Sequence, residues 1–513
     1  MKLLSATQMR EADQITLRNQ NISSTELMER AAGQCFNFIH ERLQGAPVPF
    51  RIFCGLGNNG GDGLAIARML IKHGYVVHIY IVNFSDNRSA DFMVNYNLLQ
   101  DMGNWPQQLR SEADFPVIAK DDIIIDAIFG IGLSKPMPKW VCALVKRINE
   151  AKAFTVAIDI PSGLCTDRAP FDTDAVIYAN TVLTFQCPKL VFYLPETGVY
   201  VQDIEVLDIG LDTEYLDRVE PVGLRMGKQE ILRLYQPRER FAHKGTYGHV
   251  LTIGGSYGKI GSMILSTKAG LCSGAGLVTA YIPKCGYTSV QTAVPEAMVI
   301  TSPEDSYLNQ INYEEIIKPT VIAVGMGMGT EVETQTAFLE FLKKCEMPIV
   351  IDADGLNCLA KNPEGLSDIP NNSVLTPHPG ELERLIGNWA DDFDKLNKAK
   401  AFSKEFNCIL VIKGANTIIV HNDKLYCNST GNPGMASAGM GDVLSGIISS
   451  LIAQRYDPLQ AAIMGVYLHG SAADIAVRTS SYQGLTAGIV IETIGKAFLD
   501  LFVQPETQPD PLD

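Results

Sequence analysis

Short apolar runs that end in glycine, asparagine, aspartate or proline are the feature that most constrains the fold of this chain. Between most of these runs, apolar residues recur at helical spacing. A strand, a turn and a helix in repeated succession build a parallel sheet covered by helices on both faces. The first half is therefore predicted to be an α/β domain with strands at residues 51–54, 76–82, 123–128 and 156–160.

The same alternation stops and then starts again, which predicts two domains. Residues 212–240 carry many charges, two prolines and no strand-like run, as expected of a connection between domains. A length of 513 residues also exceeds the roughly 250–300 residues at which single cores stop growing. We expect α/β domains at residues 1–215 and 225–503, and a disordered, proline-rich tail at residues 504–513. The strand candidates of the second half are residues 249–253, 277–282, 321–324, 348–351, 373–376, 409–412 and 417–421.

Bulk properties exclude several classes of protein. The formal charge of −15 repels nucleic acid and anionic membranes, and no apolar stretch reaches the ~18 residues that span a bilayer. The N-terminal apolar run is too short for a signal peptide, and the 11 cysteines include no C-x-x-C pair. The chain is therefore predicted to be a cytoplasmic protein with free thiols that binds neither nucleic acid nor membrane.

The turn after the first predicted strand is rich in glycine. Residues 55–63 read Gly-Leu-Gly-Asn-Asn-Gly-Gly-Asp-Gly, and a helical pattern follows. Glycine lets the backbone approach a ligand closely, and the amides at a helix N-terminus attract anions. A tight turn would explain a single glycine pair, but this density of glycine between a strand and a helix favours phosphate binding. The spacing differs from that of the G-x-G-x-x-G dinucleotide motif.

Two further predicted strands end in aspartate. Asp126 precedes a loop that contains Gly130 and Gly132, and Asp159 precedes the sequence Ile-Pro-Ser-Gly. In an open parallel sheet, ligands bind outside the carboxyl ends of the strands. One such aspartate is equally compatible with a helix cap or a solvated turn, whereas three polar strand ends on one edge predict a binding site.

Together, these three motifs resemble the signature motifs of NAD(P)H-hydrate epimerases over residues 1–215. The resemblance implies a Rossmann-like three-layer sandwich that interconverts the R and S hydrates of NADH and NADPH at C6 of the nicotinamide ring. It also implies a potassium ion held by Asn59, Asp126 and Ser162, and Asp159 beside the reacting ring. The residues that it implies for binding the hydrated cofactor are Asn58, Asn59, Gly60, Gly61, Asp62, Gly130, Ile131, Gly132, Leu133, Ser134, Lys135, Pro136 and Asp159.

The implied reaction needs proton transfer at C6. Epimerisation can proceed by loss and return of hydroxide, driven by the lone pair of the ring nitrogen. A carboxyl group can protonate the departing hydroxyl and then deprotonate water that arrives on the other face. Asp159 is the carboxyl expected to do this.

In the second half, the sequence Gly-Met-Gly-Asp at residues 439–442 stands at the start of an apolar helix. Glycines at a helix N-terminus turn several amides toward one point, which suits phosphate. Asp442 is either a favourable charge in the first turn or a base that removes a proton from a substrate hydroxyl, and the glycines favour the base. His378, between two prolines at a strand end, suits a ligand contact. Asp352 and Asp354 suit a turn and a magnesium ion equally.

This second series resembles the ribokinase-like, ADP- or ATP-dependent NAD(P)H-hydrate dehydratases over residues 225–500. That family removes water from the S hydrate while a nucleotide is consumed. Because fused epimerase and dehydratase domains are typical of bacterial members, ADP is favoured over ATP, and magnesium is expected as a cofactor. The residues implied for the nucleotide are Lys413, Gly414, Ala415, Asn416, Thr417 and Gly441. The residues implied for the hydrate are Gly329, His378 and the catalytic Asp442.

Fusion of the two domains supports a single repair pathway, because one domain would interconvert the epimers and the other would consume only one of them. Homo-oligomers are common in both families, so the chain is predicted to be a homo-oligomer. The alternative is a ribokinase-like small-molecule kinase whose N-terminal domain is a non-catalytic nucleotide-binding or partner-binding module. The run Leu-Thr-Pro-His-Pro-Gly-Glu at residues 375–381 favours the dehydratase, because vitamin and sugar kinases do not generally share it.

Overall fold

The computed structural model describes residues 1–503, and the tail predicted to be disordered, 504–513, lies outside the described residues. The chain forms two compact units. Most of the first is Lys2–Gly223, and most of the second is Leu224–Ala390 together with the described chain from Asp394 to residue 503. None of the helices between residues 1 and 503 is long and apolar enough to cross a lipid bilayer.

The first unit alternates strands and helices. Its elements in chain order are β1 (Lys2–Leu3), α1 (Ala6–Gln20), α2 (Ser24–Leu43), β2 (Phe50–Cys54), α3 (Asn58–Lys72), β3 (Val77–Val82), α4 (Ala90–Asp101), β4 (Gln107–Leu109), β5 (Ile123–Ala127), α5 (Lys139–Ala151), β6 (Phe154–Ile158), β7 (Ala179–Phe185), α6 (Pro195–Gly198), β8 (Val201–Leu207) and α7 (Thr213–Arg218).

Strands β2 to β8 form one parallel sheet in the order β4-β3-β2-β5-β6-β7-β8. The chain runs outward from β2 to β4, then returns to β5 on the other side of β2. Because this reversal leaves a crevice between the loops that follow β2 and β5, the ligand site of such a sheet lies there. The glycine-rich turn follows β2, and Asp126 belongs to β5.

The sheet is buried on both faces, which makes a three-layer sandwich. Along β2, Phe50 and Ile52 pack in a core with residues of α1, α2 and α3, while Phe53 packs in a second core with Val141 and Leu144 of α5. Successive strand residues point to opposite faces, so one strand serves both cores. The predicted α/β class of this half is confirmed.

The second unit contains the larger sheet. Its elements are β9 (Gly223–Met226), α8 (Lys228–Leu234), β10 (His249–Ile253), α9 (Ile260–Cys272), β11 (Leu277–Ile282), α10 (Tyr287–Ala293), β12 (Met298–Thr301), β13 (Val321–Val324), α11 (Val332–Lys344), β14 (Ile349–Ile351), α12 (Asp354–Lys361), β15 (Val374–Leu375), α13 (Pro379–Ile386), α14 (Asp392–Glu405), β16 (Ile409–Ile412), β17 (Ile418–His421), β18 (Lys424–Asn428), α15 (Met440–Ala453), α16 (Pro458–Ser480) and α17 (Ala487–Asp500).

Strands β9 to β18 are arranged in the order β9-β18-β17-β16-β15-β14-β13-β10-β11-β12. All neighbours pair in parallel except at β17, which is antiparallel to β16 and β18. Helix α15 packs against α9 and α16 and against β13 and β14, so its N-terminus lies near the carboxyl ends of the central strands. The predicted α/β class is confirmed here as well.

One prediction about the connection between domains is wrong. Residues 212–240 were expected to contain no strand, but they include β9, which pairs in parallel with β18, and helices α7 and α8. Four residues, with Gly223 and Met226 buried and the two between them half-buried, are too short a run to stand out among the charges of this segment.

Candidate active sites

A cavity of about 700 Å³ opens in the first unit at the carboxyl ends of its central strands. Segments that follow β2, β3, β5 and β6 line it, as expected for the crevice beside the reversal of strand order. The predicted cofactor-binding residues that line it are Asn58, Asn59, Asp62, Gly130, Ile131, Gly132, Leu133 and Asp159. The predicted residues outside that lining, within the described chain, are Gly60, Gly61, Ser134, Lys135 and Pro136.

The glycines of residues 55–63 let α3 pack closely on the sheet. A Cβ at Gly55 would overlap the carbonyl oxygen of Ile128, and a Cβ at Gly60 would overlap that of Gly55. At Gly63 it would meet the side chain of Ala127 on β5. The phosphate interpretation assigned these glycines to ligand approach, but the contacts give three of them to packing. A Cβ at Gly57 meets no other atom, so that position stays open.

Asp126 and Ser162 form a buried polar cluster at the edge of the sheet. The Oδ1 atom of Asp126 accepts a hydrogen bond from Ser162 Oγ at 2.6 Å, and Oδ2 accepts one from the Ser162 amide at 2.7 Å. The Phe129 amide also donates to Ser162 Oγ, at 2.9 Å. Burial raises the pKa of Asp126 to about 6, although the hydrogen bonds from Ser162 and Ile128 oppose the shift.

This cluster fits a monovalent cation. No lysine or arginine among the described residues forms an ion pair with Asp126, which is fully buried. Asn59 is also buried beside Gly130, and its Nδ2 has no hydrogen-bond partner among the described residues. Since carboxylate, hydroxyl and amide oxygens are hard ligands, the donor set of Asn59, Asp126 and Ser162 could hold a hard cation.

Asp159 is held by a buried lysine that was not predicted. Lys189, which follows β7, is fully buried, and its ammonium lies 2.6 Å from Asp159 Oδ1 and 2.6 Å from Thr184 Oγ1. Asp159 itself adopts a left-handed backbone conformation, with φ of 65°, directly after β6. The signal in the sequence is a single lysine inside the apolar segment 182–194, because lysine is almost never fully buried without a partner.

Two more carboxyl groups face the same space. Asp62 of α3 and Asp13 of α1 line the cavity together with Asp159. Burial raises the pKa of Asp62 well above its ordinary value, and the charge of Asp159 adds to the shift. Burial and the charge of Asp159 raise the pKa of Asp13 to about 7, against the opposing charge of Lys189. The cavity thus holds two carboxyl groups, Asp13 and Asp62, whose pKa values lie above the ordinary range.

In the second unit, a cavity of about 600 Å³ lies between the N-terminus of α15 and the loop after β16. The predicted residues that line it are His378, Lys413, Gly414, Ala415, Thr417 and Gly441, whereas Asn416, Gly329 and Asp442 are absent from the described lining. Its lining is mostly apolar and includes Met435, Leu444 and Val466. His469, which was not predicted, also lines it, and burial lowers the pKa of its imidazole to about 4.

A buried ion pair lies beside this cavity. The ammonium of Lys413 lies 2.8 Å from Asp352 Oδ1, and Ser445 Oγ of α15 donates to Asp352 Oδ2 at 2.7 Å. Burial disfavours the charge of Asp352, but Lys413 and the hydrogen bonds outweigh it and lower the pKa of that carboxyl. Lys413, predicted to bind the nucleotide, therefore also compensates the negative charge of Asp352, which directly follows β14.

Asp352 and Asp354 have separate partners. Ala353 between them has φ of 49° and ψ of −117°, a backbone conformation unusual for a residue with a side chain. Asp354 accepts the amide of Gly329 at 2.9 Å and lies 3.3 Å from the ammonium of Lys259. Within residues 1–503, no three His, Cys, Asp or Glu side chains are grouped so as to hold a metal ion. Of the two equal interpretations of this pair, the contacts support the turn.

Asp442 lies in the first turn of α15, near the Asp352–Lys413 pair. Burial and the charge of Asp352 raise its pKa to about 6, although Ser262 and Lys413 oppose the shift. A carboxyl of this kind is ionised at neutral pH yet is basic enough to accept a proton. This fits the role of base.

His378 begins helix α13. Its Nδ1 accepts the amides of Gly380 and Glu381, at 3.0 and 3.3 Å, as an N-cap. The ring is therefore fixed where it lines the cavity, and its Nε2 lies 3.4 Å from Glu381 Oε1.

Comparison with known proteins agrees with both series of motifs. A family model described as NAD(P)H-hydrate dehydratase matches residues 250–496, and one described as YjeF-related protein N-terminus matches residues 24–191. The bifunctional NAD(P)H-hydrate repair enzyme Nnr of Moorella thermoacetica is 35% identical, over 99% of this chain and 98% of that protein. The corresponding protein of Coxiella burnetii is 33% identical, over 94% of this chain and 96% of that protein.

Among solved structures, the ADP/ATP-dependent NAD(P)H-hydrate dehydratase from Bacillus subtilis, co-crystallised with ATP and Mg²⁺, is 26% identical with a TM-score of 0.48. The likeness covers 54% of this chain and 99% of that one. Because the identity to curated relatives extends over nearly the whole length of both chains, the family predicted from the motifs is confirmed: this chain belongs to the bifunctional NAD(P)H-hydrate repair enzymes.

Proposed function

We propose that the cavity of the first unit epimerises hydrated NADH and NADPH at C6, and that the cavity of the second unit dehydrates the S epimer at the expense of ADP or ATP. The observation that carries this proposal is a carboxyl group close to each cavity and to a lysine. Asp159 lines the first cavity and is paired with Lys189, and Asp442 lies beside the Asp352–Lys413 pair, next to Gly441 of the second cavity.

In the first unit, the backbone amides of residues 58–60 precede the first hydrogen bond of α3, from the Gly61 amide to the Gly57 carbonyl. Free amides at a helix N-terminus suit the phosphates of the cofactor. The nicotinamide ring would then reach Asp159, which lines the same cavity. Asp159 would exchange a proton with the hydroxyl or the water at C6.

Potassium would be held by Asn59, Asp126 and Ser162, where it would supply positive charge next to the buried Asp126 carboxylate. Replacement of potassium by a larger organic cation such as choline is then expected to reduce epimerisation. Dehydration of the S hydrate by the second unit of the same chain provides the control, provided that its own salt dependence is measured separately.

In the second unit, the apolar part of the cavity suits an adenine base, and the glycines at the start of α15 suit its phosphates. Hydroxide is a poor leaving group, so transfer of the terminal phosphoryl group to the C6 hydroxyl would precede elimination. Asp442 would accept the hydroxyl proton as its oxygen attacks phosphorus. Loss of phosphate from C6 and of a proton from C5 then forms the C5=C6 bond of NADH.

Magnesium is proposed to accompany the nucleotide, because it usually keeps water and phosphate ligands and needs few protein ligands. ADP is proposed as the co-substrate in preference to ATP. Homo-oligomerisation and a cytoplasmic location remain predictions.

The test is recovery of NADH absorbance when the full chain is added to a mixture of R and S NADH hydrates with magnesium, potassium and either nucleotide. Complete recovery is expected, and the nucleotide that gives the faster recovery identifies the donor. Recovery limited to the S fraction, after correction for spontaneous epimerisation, would contradict the epimerase. No recovery with either nucleotide would favour the kinase alternative.

Two matched variants assign the activities to the units. Asp442→Asn is expected to abolish recovery while R and S hydrates still interconvert. Asp159→Asn is expected to limit recovery to the S fraction. In each variant, the activity that remains shows that the chain is intact.

A further inference from the structure

Asp13 lies on the inward-facing side of α1 without an evident structural role. Helix α1 buries Met9, Ala12 and Thr16, and Asp13 follows Ala12 on the same stripe. The side chain makes no hydrogen bond or ion pair with the described residues. A half-buried carboxyl without a partner is unfavourable for folding alone, so a function has to be considered.

Asp13 belongs to the wall of the cavity proposed for epimerisation. It lines the 700 Å³ cavity and also a smaller one of about 290 Å³, and Asp62 and Asp159 line both. Asp13 comes from α1, whereas Asp159 comes from the end of β6. Two carboxyl groups from separate elements therefore face one space large enough for a nicotinamide ring.

Epimerisation at C6 involves proton transfer on both faces of the nicotinamide ring. When hydroxide leaves one face of the ring and water adds to the other, the acid and the base act on opposite faces. A single carboxyl, as expected from the sequence alone, would have to act on both faces in turn, whereas two carboxyl groups can each serve one face. Enzymes that invert a sugar carbon meet the same requirement with two carboxyl groups, one protonated and one ionised.

The two carboxyl groups differ in their partners. The ammonium of Lys189 lies 2.6 Å from Asp159 Oδ1, so Asp159 has a cationic partner. Asp13 has no such partner, and burial together with the charge of Asp159 raises the pKa of Asp13 to about 7. A substantial fraction of Asp13 is therefore protonated at neutral pH.

We propose that Asp13 is a second catalytic carboxyl of the epimerisation site, which serves the face of the nicotinamide ring opposite to Asp159. This inference rests on the proposed epimerase function. In one direction, Asp13 donates its proton to the C6 hydroxyl, the C6–O bond breaks, and the lone pair of N1 forms the N1=C6 double bond. Water then adds to C6 from the other face, its proton passes to Asp159, and the electron pair returns to N1. In the reverse direction Asp159 is the acid and Asp13 the base.

The charged and titratable groups around Asp13 come from several elements. Burial raises the pKa of Asp62 of α3 well above its ordinary value, and the charges of Asp159 and Asp13 add to the shift. Asp91 of α4 accepts hydrogen bonds from Ser24 and Thr25 of α2. Arg10, one turn earlier on α1, donates to the carbonyl of Ile131.

The experiment compares Asp13→Asn with the unaltered full chain in a nucleotide-free assay that follows R-to-S conversion of NADH hydrate by chromatography. Loss of one general acid–base group is expected to lower kcat by roughly 10²–10⁴-fold with KM changed by less than about threefold. In the unaltered chain, kcat/KM in one direction should fall as the pH rises through about 7, because the protonated form of Asp13 is lost. In Asp13→Asn, this fall in kcat/KM near pH 7 should be absent.

Glu11→Gln is the matched control, because it removes a carboxyl from an exposed position of the same helix. It should leave kcat and the pH profile unchanged. Asp13→Glu keeps the carboxyl and should retain at least about a tenth of the epimerisation rate of the unaltered chain. If Asp13 had only a structural role, Asp13→Glu and Asp13→Asn should epimerise at similar rates. The melting temperature of Asp13→Asn should not be lower than that of the unaltered chain, because the substitution removes a partly buried carboxyl.

Unchanged kcat in Asp13→Asn, or an unchanged pH profile, would overturn the proposal while the epimerase function stands. A fall in kcat that Asp13→Glu does not rescue would also overturn it. If the unaltered chain does not interconvert the hydrates, the proposed function itself fails, and the role of Asp13 fails with it.

Discussion

Replacement of Lys189 by methionine should expose how strongly the first unit depends on one buried ion pair. Lys189 has a relative side-chain exposure of 1% and Asp159 of 10%, and their charged atoms lie 2.6 Å apart. Methionine fills a similar volume but leaves Asp159 without its cation. Removal of one partner from a buried pair destabilises a protein by about 3–5 kcal/mol, because the remaining charge is uncompensated.

For a unit of this size, each kcal/mol shifts the melting temperature by about 2–4 °C, so a decrease of about 6–20 °C is expected. Calorimetry of the full chain measures this decrease. The transition of the first unit is identified by the temperature at which epimerase activity is lost irreversibly. Dehydration of the S hydrate, which depends on the second unit, provides the internal control and should be unaffected at temperatures below the transition.

The double variant Lys189→Met, Asp159→Asn separates charge from packing. With both charges removed, the melting temperature should recover most of the loss, since a neutral pair of similar volume leaves no buried charge. Epimerisation should remain absent, because the carboxyl is gone. The reasoning would be refuted by an unchanged melting temperature in Lys189→Met, or by a double variant that is less stable than the single one.

Three further changes test other contacts. Gly60→Ala should lower the stability of the first unit by about 1–3 kcal/mol or more, measured by urea unfolding, because the added Cβ overlaps the carbonyl of Gly55; an unchanged midpoint would contradict the packing role. Ala353→Gly should stabilise the second unit by about 1 kcal/mol in the same assay, since relief of a φ of 49° outweighs the greater chain entropy of glycine, and a loss of stability would show that the conformation is not strained. The dehydration rate should rise as the pH increases through about 6, the pKa of Asp442, because only the ionised form accepts a proton; a rate independent of pH between 5 and 8, with chemistry limiting, would exclude that role.

Motifs at strand ends made the fold class and much of the first cavity predictable. Asn59, Asp126 and Asp159 follow apolar strands in one parallel sheet, so their meeting at one edge follows from topology alone. Strands β7 and β8 are not predicted by apolar runs. Polar residues such as Asn180 and Thr181 interrupt β7, and most of β8 is only half-buried or exposed.

Contacts between residues distant in sequence were not predictable in this way. Lys189 reaches Asp159 from a turn 30 positions later, and Lys413 reaches Asp352 from 61 positions later. Local patterns carry no information about such pairs. A single charge within an apolar segment, as at Lys189, is the only local sign of such a pair in the sequence.

The close packing of α3 on the sheet has a consequence for reading other members of the family. Because Gly55, Gly60 and Gly63 are required by backbone and side-chain neighbours, a domain that had lost catalysis would still be obliged to keep them in order to fold. The presence of the glycine-rich turn in a relative therefore indicates that the domain folds in the same way, and does not by itself indicate that it is active. Loss of activity during evolution should instead be sought at Asp159 and Lys189, where replacement of the pair together would leave the scaffold intact.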